Sequence, residues 1–155
     1  MKTSLGIRVE PNKISFSVVK ENDDTIEIVL VDEIIVPKSL NVPEQLKFIR
    51  STLSDIINEN RITLGCIRIP ESTAGSVNIP RTYIEGVIQE LIASSSIQKY
   101  YVGQISSISS RLDIDKEDFK PLAKGDKTFM EMEIWSDINL QKRESLMASI
   151  SALNI

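Results

Sequence analysis

Apolar and polar residues alternate through the first third of the chain. Leu5, Ile7 and Val9 fall on one side of an extended segment, and Ser4, Gly6 and Arg8 on the other. Glu10, Pro11, Asn12 and Lys13 make a turn signal, because proline pre-sets its own φ and asparagine tolerates unusual backbone angles. Ile14, Phe16 and Val18 then mark a second strand. The polar run from Lys20 to Asp24 is the next turn. A third strand is predicted from about Ile26 to Val36, ending before Pro37.

The period then changes. Leu46, Ile49, Leu53, Ile56 and Ile57 follow helical spacing, with Pro43 where a first turn accepts proline, and the helix should end near Asn60. Leu64 to Ile69 is apolar enough to be a central strand. A loop rich in Ser, Thr, Gly and Pro follows. The next helix is predicted from Pro80, with Asn78 as its cap and Ile84, Val87, Ile88, Leu91 and Ile92 along one side. Tyr100, Tyr101 and Val102 suggest a fifth strand. From Gln104 to Asp137 the pattern weakens, with helices expected only at Asp115 to Leu122 and around Thr128 to Trp135. Leu140 to Leu153 reads as a final helix with Leu146, Met147, Ile150 and Leu153 on one face.

The expected order is β-β-β-α-β-α-β-α, an α/β fold in a single domain over residues 1–155. Three hairpin-linked strands are antiparallel, whereas strands reached through helical crossovers run parallel to strand one. Strands one and four should lie together in a five-stranded mixed sheet with helices on both faces.

Composition removes several kinds of chemistry. The chain has no histidine, which excludes Ser-His and Cys-His catalysis and imidazole metal sites. Any metal chemistry must rest on carboxylates and a hard cation such as magnesium. The single Cys66 cannot form an internal disulfide and reads as an inert core thiol. A net charge of −4 gives no global attraction to nucleic acid or anionic membrane. No signal pattern and no membrane-length apolar run is present, so a cytoplasmic protein is expected.

Two segments nearly repeat each other. Gly6, Ile7, Arg8 and Val9 precede Glu10 and Pro11; Cys66, Ile67, Arg68 and Ile69 precede Pro70 and Glu71. Both read as strand ends. Side by side, they would aim Arg8 and Arg68 at one place.

The Leu5 to Arg8 strand with its hairpin partner, the Cys66 to Arg68 strand, and the Arg143 to Ile150 helix together resemble the ribonuclease H-like superfamily, nearest its Holliday-junction-resolvase, RuvC-like branch. The resemblance implies that fold. It also implies a site where acidic residues on strand one, strand four and the last helix hold divalent metals for phosphodiester cleavage. Here Arg8 and Arg68 stand at two of those three positions and only Glu144 is acidic. A guanidinium offers no lone pair and repels magnesium. The resemblance therefore implies the fold without the reaction, and a degenerate site.

Several readings of the site follow. Arg8, Arg68 and Glu144 can form an ion-pair network in the altered site. Arg8 and Arg68 can instead join Arg81, at the start of the second helix, and Arg143 in binding an anion such as phosphate or a nucleotide. Glu10, Glu71 and Glu144 can rebuild a magnesium site from shifted positions, which would restore a nuclease. The Ser72 to Ser76 loop offers hydroxyls and amides to an anion, but it lacks the lysine-bearing P-loop pattern and reads first as a flexible connection. Lys116, Lys120, Lys124 and Lys127 are interleaved with acids and read as a solvated face. The first expectation is a binding or assembly module without catalytic activity or cofactor. Its expected partner is a protein or a nucleic-acid complex, with a second copy of the chain, in a homo-oligomer, as a further candidate.

Overall fold

β1 (Lys2–Val9) runs through the middle of a mixed sheet ordered β3-β2-β1-β4-β5 in the computed structural model, which describes residues 1–72 and 75–155. β2 (Lys13–Asn22) and β3 (Thr25–Ile35) continue from it as antiparallel hairpins, with a register shift between Val18 and Val19. β4 (Leu64–Arg68) lies parallel to β1 on its other side, and β5 (Lys99–Gly103) runs parallel to β4 at the edge. This is the expected five-stranded arrangement.

Helices cover both faces. α1 (Val42–Glu59) and α2 (Ile79–Ser94) pack on the face carrying Leu5, Ile7, Ile14, Phe16 and Ile67. Each begins at an asparagine whose side chain accepts a backbone N–H: Asn41 from Glu44, and Asn78 from Arg81. Each also has proline in its first turn. The opposite face takes α3 (Ile105–Leu112), α4 (Lys116–Lys124) and α5 (Leu140–Ala152) over a second core that includes Leu64, Cys66, Ile108, Phe119, Trp135 and Leu146. No helix among the described residues is long and apolar enough to cross a membrane.

Three expectations need correction. α3 was not expected; Ser107 Oγ accepts the Gln104 N–H at its start, and Ile108 is its buried anchor. The helix expected around Thr128 to Trp135 is two short 3-10 turns, Phe129–Glu131 and Glu133–Asp137. Met130 and Glu131 sit at φ 52° and 55°, values a continuous right-handed helix does not admit. α5 is not one-sided, since every residue from Glu144 to Ala152 is buried. Its serines face the sheet, while Leu146, Met147 and Ile150 pack among α3, α4 and the 3-10 turns.

Gly6 explains how α5 comes so close. A Cβ at Gly6 would overlap the Ser145 carbonyl oxygen and the Ser149 nitrogen. Around that contact Ser4 Oγ donates to the Ser149 carbonyl at 2.5 Å, and the Ser17 and Ser145 hydroxyls lie 2.7 Å apart. Small residues on strand and helix thus set the height of α5, and with it the position of Glu144.

Candidate functional site

Arg8 and Arg68 are direct partners in the β1–β4 register. Both fall on the α5 face, because side chains alternate and Ser4 and Gly6 already meet that helix. Arg8 Nε lies 2.7 Å from Glu144 Oε2, and Arg68 Nε lies 3.7 Å from the same oxygen. One carboxylate thus sits between two guanidiniums at the centre of the sheet. Neither contact has the alignment of a hydrogen bond, so these are charge contacts.

Arg68 is the more enclosed of the two, 4% exposed. Burial pushes its pKa down, and Glu144 opposes that shift most strongly. An arginine still keeps its proton, so the surroundings must answer the charge. Glu71 Oε1 lies 3.3 Å from Arg68 Nη1 and accepts the Ile105 N–H at 2.7 Å, tying the site to the start of α3. Arg68 Nη1 also donates to the Ile69 carbonyl. The Arg68 guanidinium stands over the Phe119 ring of α4, 5.3 Å from its centroid. Two cations therefore meet two carboxylates and one aromatic face.

The remaining candidates are placed as follows. Arg81 lies beside this cluster on α2, facing a cleft it shares with Glu71 and Glu85. Arg143 is not brought to the cluster: its Nε donates to the Trp135 carbonyl and its Nη1 to the Ala123 carbonyl, at 2.8 and 3.2 Å. It ties α5 to the 3-10 turns and α4. Glu10 pairs with Lys13 at 3.7 Å in the β1–β2 turn. Among the described residues no three acidic, Cys or His side chains converge to hold a metal ion, so Glu10, Glu71 and Glu144 do not assemble. Thr73 and Ala74, within the loop considered for anion contacts, lie outside the described residues.

Glu85 was not singled out from the sequence. It is buried on α2, and burial pushes its carboxyl pKa up against the pull of Arg81, Arg8 and Arg68. Its spacing of four from Arg81 was the available signal.

The donor set does not fit a divalent cation. Glu144 and Glu71, the two carboxylates in contact with the cluster, both face Arg68, and Arg8 stands beside Glu144 as a second positive charge.

Sheet order, helix placement and the β1–β4–α5 meeting point define a ribonuclease H-like fold of the RuvC type. The solved structures bear this out. Thermus thermophilus RuvC superposes with a TM-score of 0.70 at 10% identity, over 96% of this chain and 92% of that one. The same protein in complex with a Holliday junction substrate also gives 0.70. The yeast mitochondrial Holliday junction resolvase gives 0.61 at 14% identity, over 97% of this chain and 77% of that one. No family model and no curated protein matches the sequence.

Proposed function

We propose that this chain is a non-catalytic ribonuclease H-like module that binds branched nucleic acid within a larger complex. The observation that carries the reading is the Arg8–Glu144–Arg68 cluster. Two fixed cations stand where a metal-dependent nuclease of this fold needs oxygen ligands, and the one remaining acid is taken up in holding them. A permanent positive charge can hold a phosphodiester but cannot generate a metal-bound nucleophile.

Two further points support nucleic acid as the partner. Structures with this fold include resolvases, two of them in complex with a Holliday junction substrate. The second cleft, where Lys116 and Lys120 are balanced by Glu71 and Glu117, lacks the net negative charge of the chain as a whole and so does not repel a phosphate backbone. A protein partner is the second reading, favoured by the net charge of −4 and by the exposed Val77, Ile79 and Tyr83.

The test is a four-way DNA junction titrated with the protein by fluorescence anisotropy, followed by incubation with magnesium or manganese. Binding without cutting is expected. Cleavage in either metal would overturn the non-catalytic reading. Failure to bind any branched or duplex DNA would overturn the nucleic-acid reading and leave the protein partner.

A further inference from the structure

Beside the arginine cluster, α2 forms one wall of a cleft of about 360 Å3, a size found among small-molecule sites. Arg81, Glu85 and Gly86 line that wall, and Ile69, Pro70 and Val77 contribute apolar lining from outside α2. Three features of this wall lack a hydrogen-bonding or packing partner within the described fold, although the Glu85 carboxylate feels the charges of Arg81, Arg8 and Arg68.

The first is Glu85. It is 7% exposed, and its Oε2 is out of solvent with no hydrogen-bond partner among the described residues. The second is Arg81, one helical turn earlier, whose Nε is likewise enclosed and unpartnered. Buried polar groups normally have partners, and leaving one orphaned is unfavourable, more so when it is charged. The third is Gly86. Glycine inside a helix is less favourable than alanine. Close packing does not require it here, since a Cβ at Gly86 would meet nothing within 4 Å. The contrast with Gly6, which is pressed against α5, is direct.

An acceptor at Glu85 and a donor at Arg81, four residues apart on one helix, ask for a ligand with a donor and an acceptor side by side. A phosphate satisfies Arg81 and is repelled by Glu85. A metal or amine satisfies Glu85 and is repelled by Arg81. The edge of a nucleobase with an amino group answers both. Its exocyclic N–H donates to the carboxylate, a neighbouring ring or carbonyl acceptor takes the guanidinium N–H, and its flat faces suit Ile69, Pro70 and Val77. Thymine and uracil also set an N–H beside a carbonyl, but a second carbonyl on the other side of that N–H meets the carboxylate and is repelled by it. Burial that raises the Glu85 pKa is what an incoming N–H donor would relieve.

We infer that the α2 cleft is a pocket for one unpaired, amino-bearing nucleobase, read by Glu85 and Arg81 over the open space at Gly86. The inference deepens the nucleic-acid reading above and rests on it for its choice of ligand class.

The experiment titrates the isotopically labelled protein with GMP, AMP, CMP and UMP separately. Backbone amides of α2 and the Arg81 Nε–H resonance are followed by NMR. Parallel anisotropy titrations use a four-way junction. Saturable shifts at Gly86 and Arg81 are expected with at least one amino-bearing nucleotide, at roughly tenfold or more tighter Kd than with UMP. Glu85→Gln should abolish that preference, and Gly86→Leu, on an exposed helix face, should block binding while the fold persists. Shifts equal for UMP and the others, or no shifts at α2, would overturn the inference. If the junction binds and no nucleotide reaches α2, the pocket fails and the nucleic-acid reading stands. If nucleotides reach α2 and the junction does not bind, the pocket stands and that reading fails.

Discussion

Arg8 Nε and Glu144 Oε2 lie 2.7 Å apart, on a strand near the start of the chain and a helix near its end. Both groups are largely withdrawn from water, and Arg68 reaches the same oxygen. Removing a single member therefore does more than delete a contact. Glu144→Gln leaves two guanidiniums facing each other with Glu71 and the more distant Glu85 to answer them. Breaking a buried pair in this way costs about 3 kcal/mol or more. Urea denaturation followed by the fluorescence of the buried Trp135 measures it. A loss below about 1 kcal/mol would mean that solvent already screens the cluster.

Gly6→Ala tests how α5 is held. The added methyl meets the Ser145 and Ser149 backbone, which cannot step aside as a flexible side chain can. Overpacking of this kind costs about 1–3 kcal/mol, occasionally more. The same displacement lifts Glu144 away from Arg8. Gly86→Ala, with open space around it, should be neutral or stabilising by up to about 1 kcal/mol. Thermal melts of the two variants should therefore move in opposite directions, and a common direction would contradict the assignment.

The two Ile-Arg strand ends were legible because strand periodicity fixes faces and parallel crossover fixes neighbours, so Arg8 and Arg68 had to share a face. α3 was hidden because four of its eight residues are serine, which competes locally for backbone hydrogen bonds; only Ile108 and the Gln104–Ser107 cap give it away. α5 looked one-sided for a related reason. Ser149 and Ser151 are fully buried, but their hydroxyls donate to the Leu146 and Ala148 carbonyls of the same helix, so a polar letter hides a packed position. Arg143 was misjudged through adjacency: one helical step from Glu144 turns a side chain by about 100°, toward Trp135 and Ala123.

Glu85 gives a pH signature. Its pKa in the folded protein is raised by burial, so the folded state holds a proton the unfolded chain has already lost. Stability from this group is present below the ordinary glutamate range near 4.5 and is lost as pH rises through the higher folded value. Glu85→Gln removes that loss. The variant should melt above the wild type at pH 7, and the difference should shrink as pH falls toward 4. A difference that grows on acidification would reverse the assignment.

Cys66 offers a local probe of the sheet. It is 1% exposed, and burial pushes its thiol up to about 11. At pH 8 it is protonated as well as enclosed, so a disulfide reagent should react only on opening. The reaction should be slow in buffer and should accelerate with urea in step with unfolding. Fast stoichiometric labelling in buffer would show that the β4–α5 interface opens on its own.

The sharpest test of the site replaces both of its arginines with acids. Arg8→Asp with Arg68→Glu turns two fixed cations into carboxylates beside Glu144, on the two partnered strand positions and the helix that faces them. Three carboxylates converging in a partly enclosed site repel one another and gain from a divalent cation that binds the folded state alone. Manganese or magnesium should therefore raise the melting temperature of the double variant by several degrees and leave the wild type unmoved. Calorimetric titration should find saturable binding only in the variant, and Glu144→Ala added to it should remove the effect. The opposite pattern, with manganese bound by the wild type and lost on Glu144→Ala, would mean that Glu144 already serves a metal, and the non-catalytic reading would fall. Binding by neither protein, with the variant folded, would mean that the β1–β4–α5 geometry alone does not make a cation site.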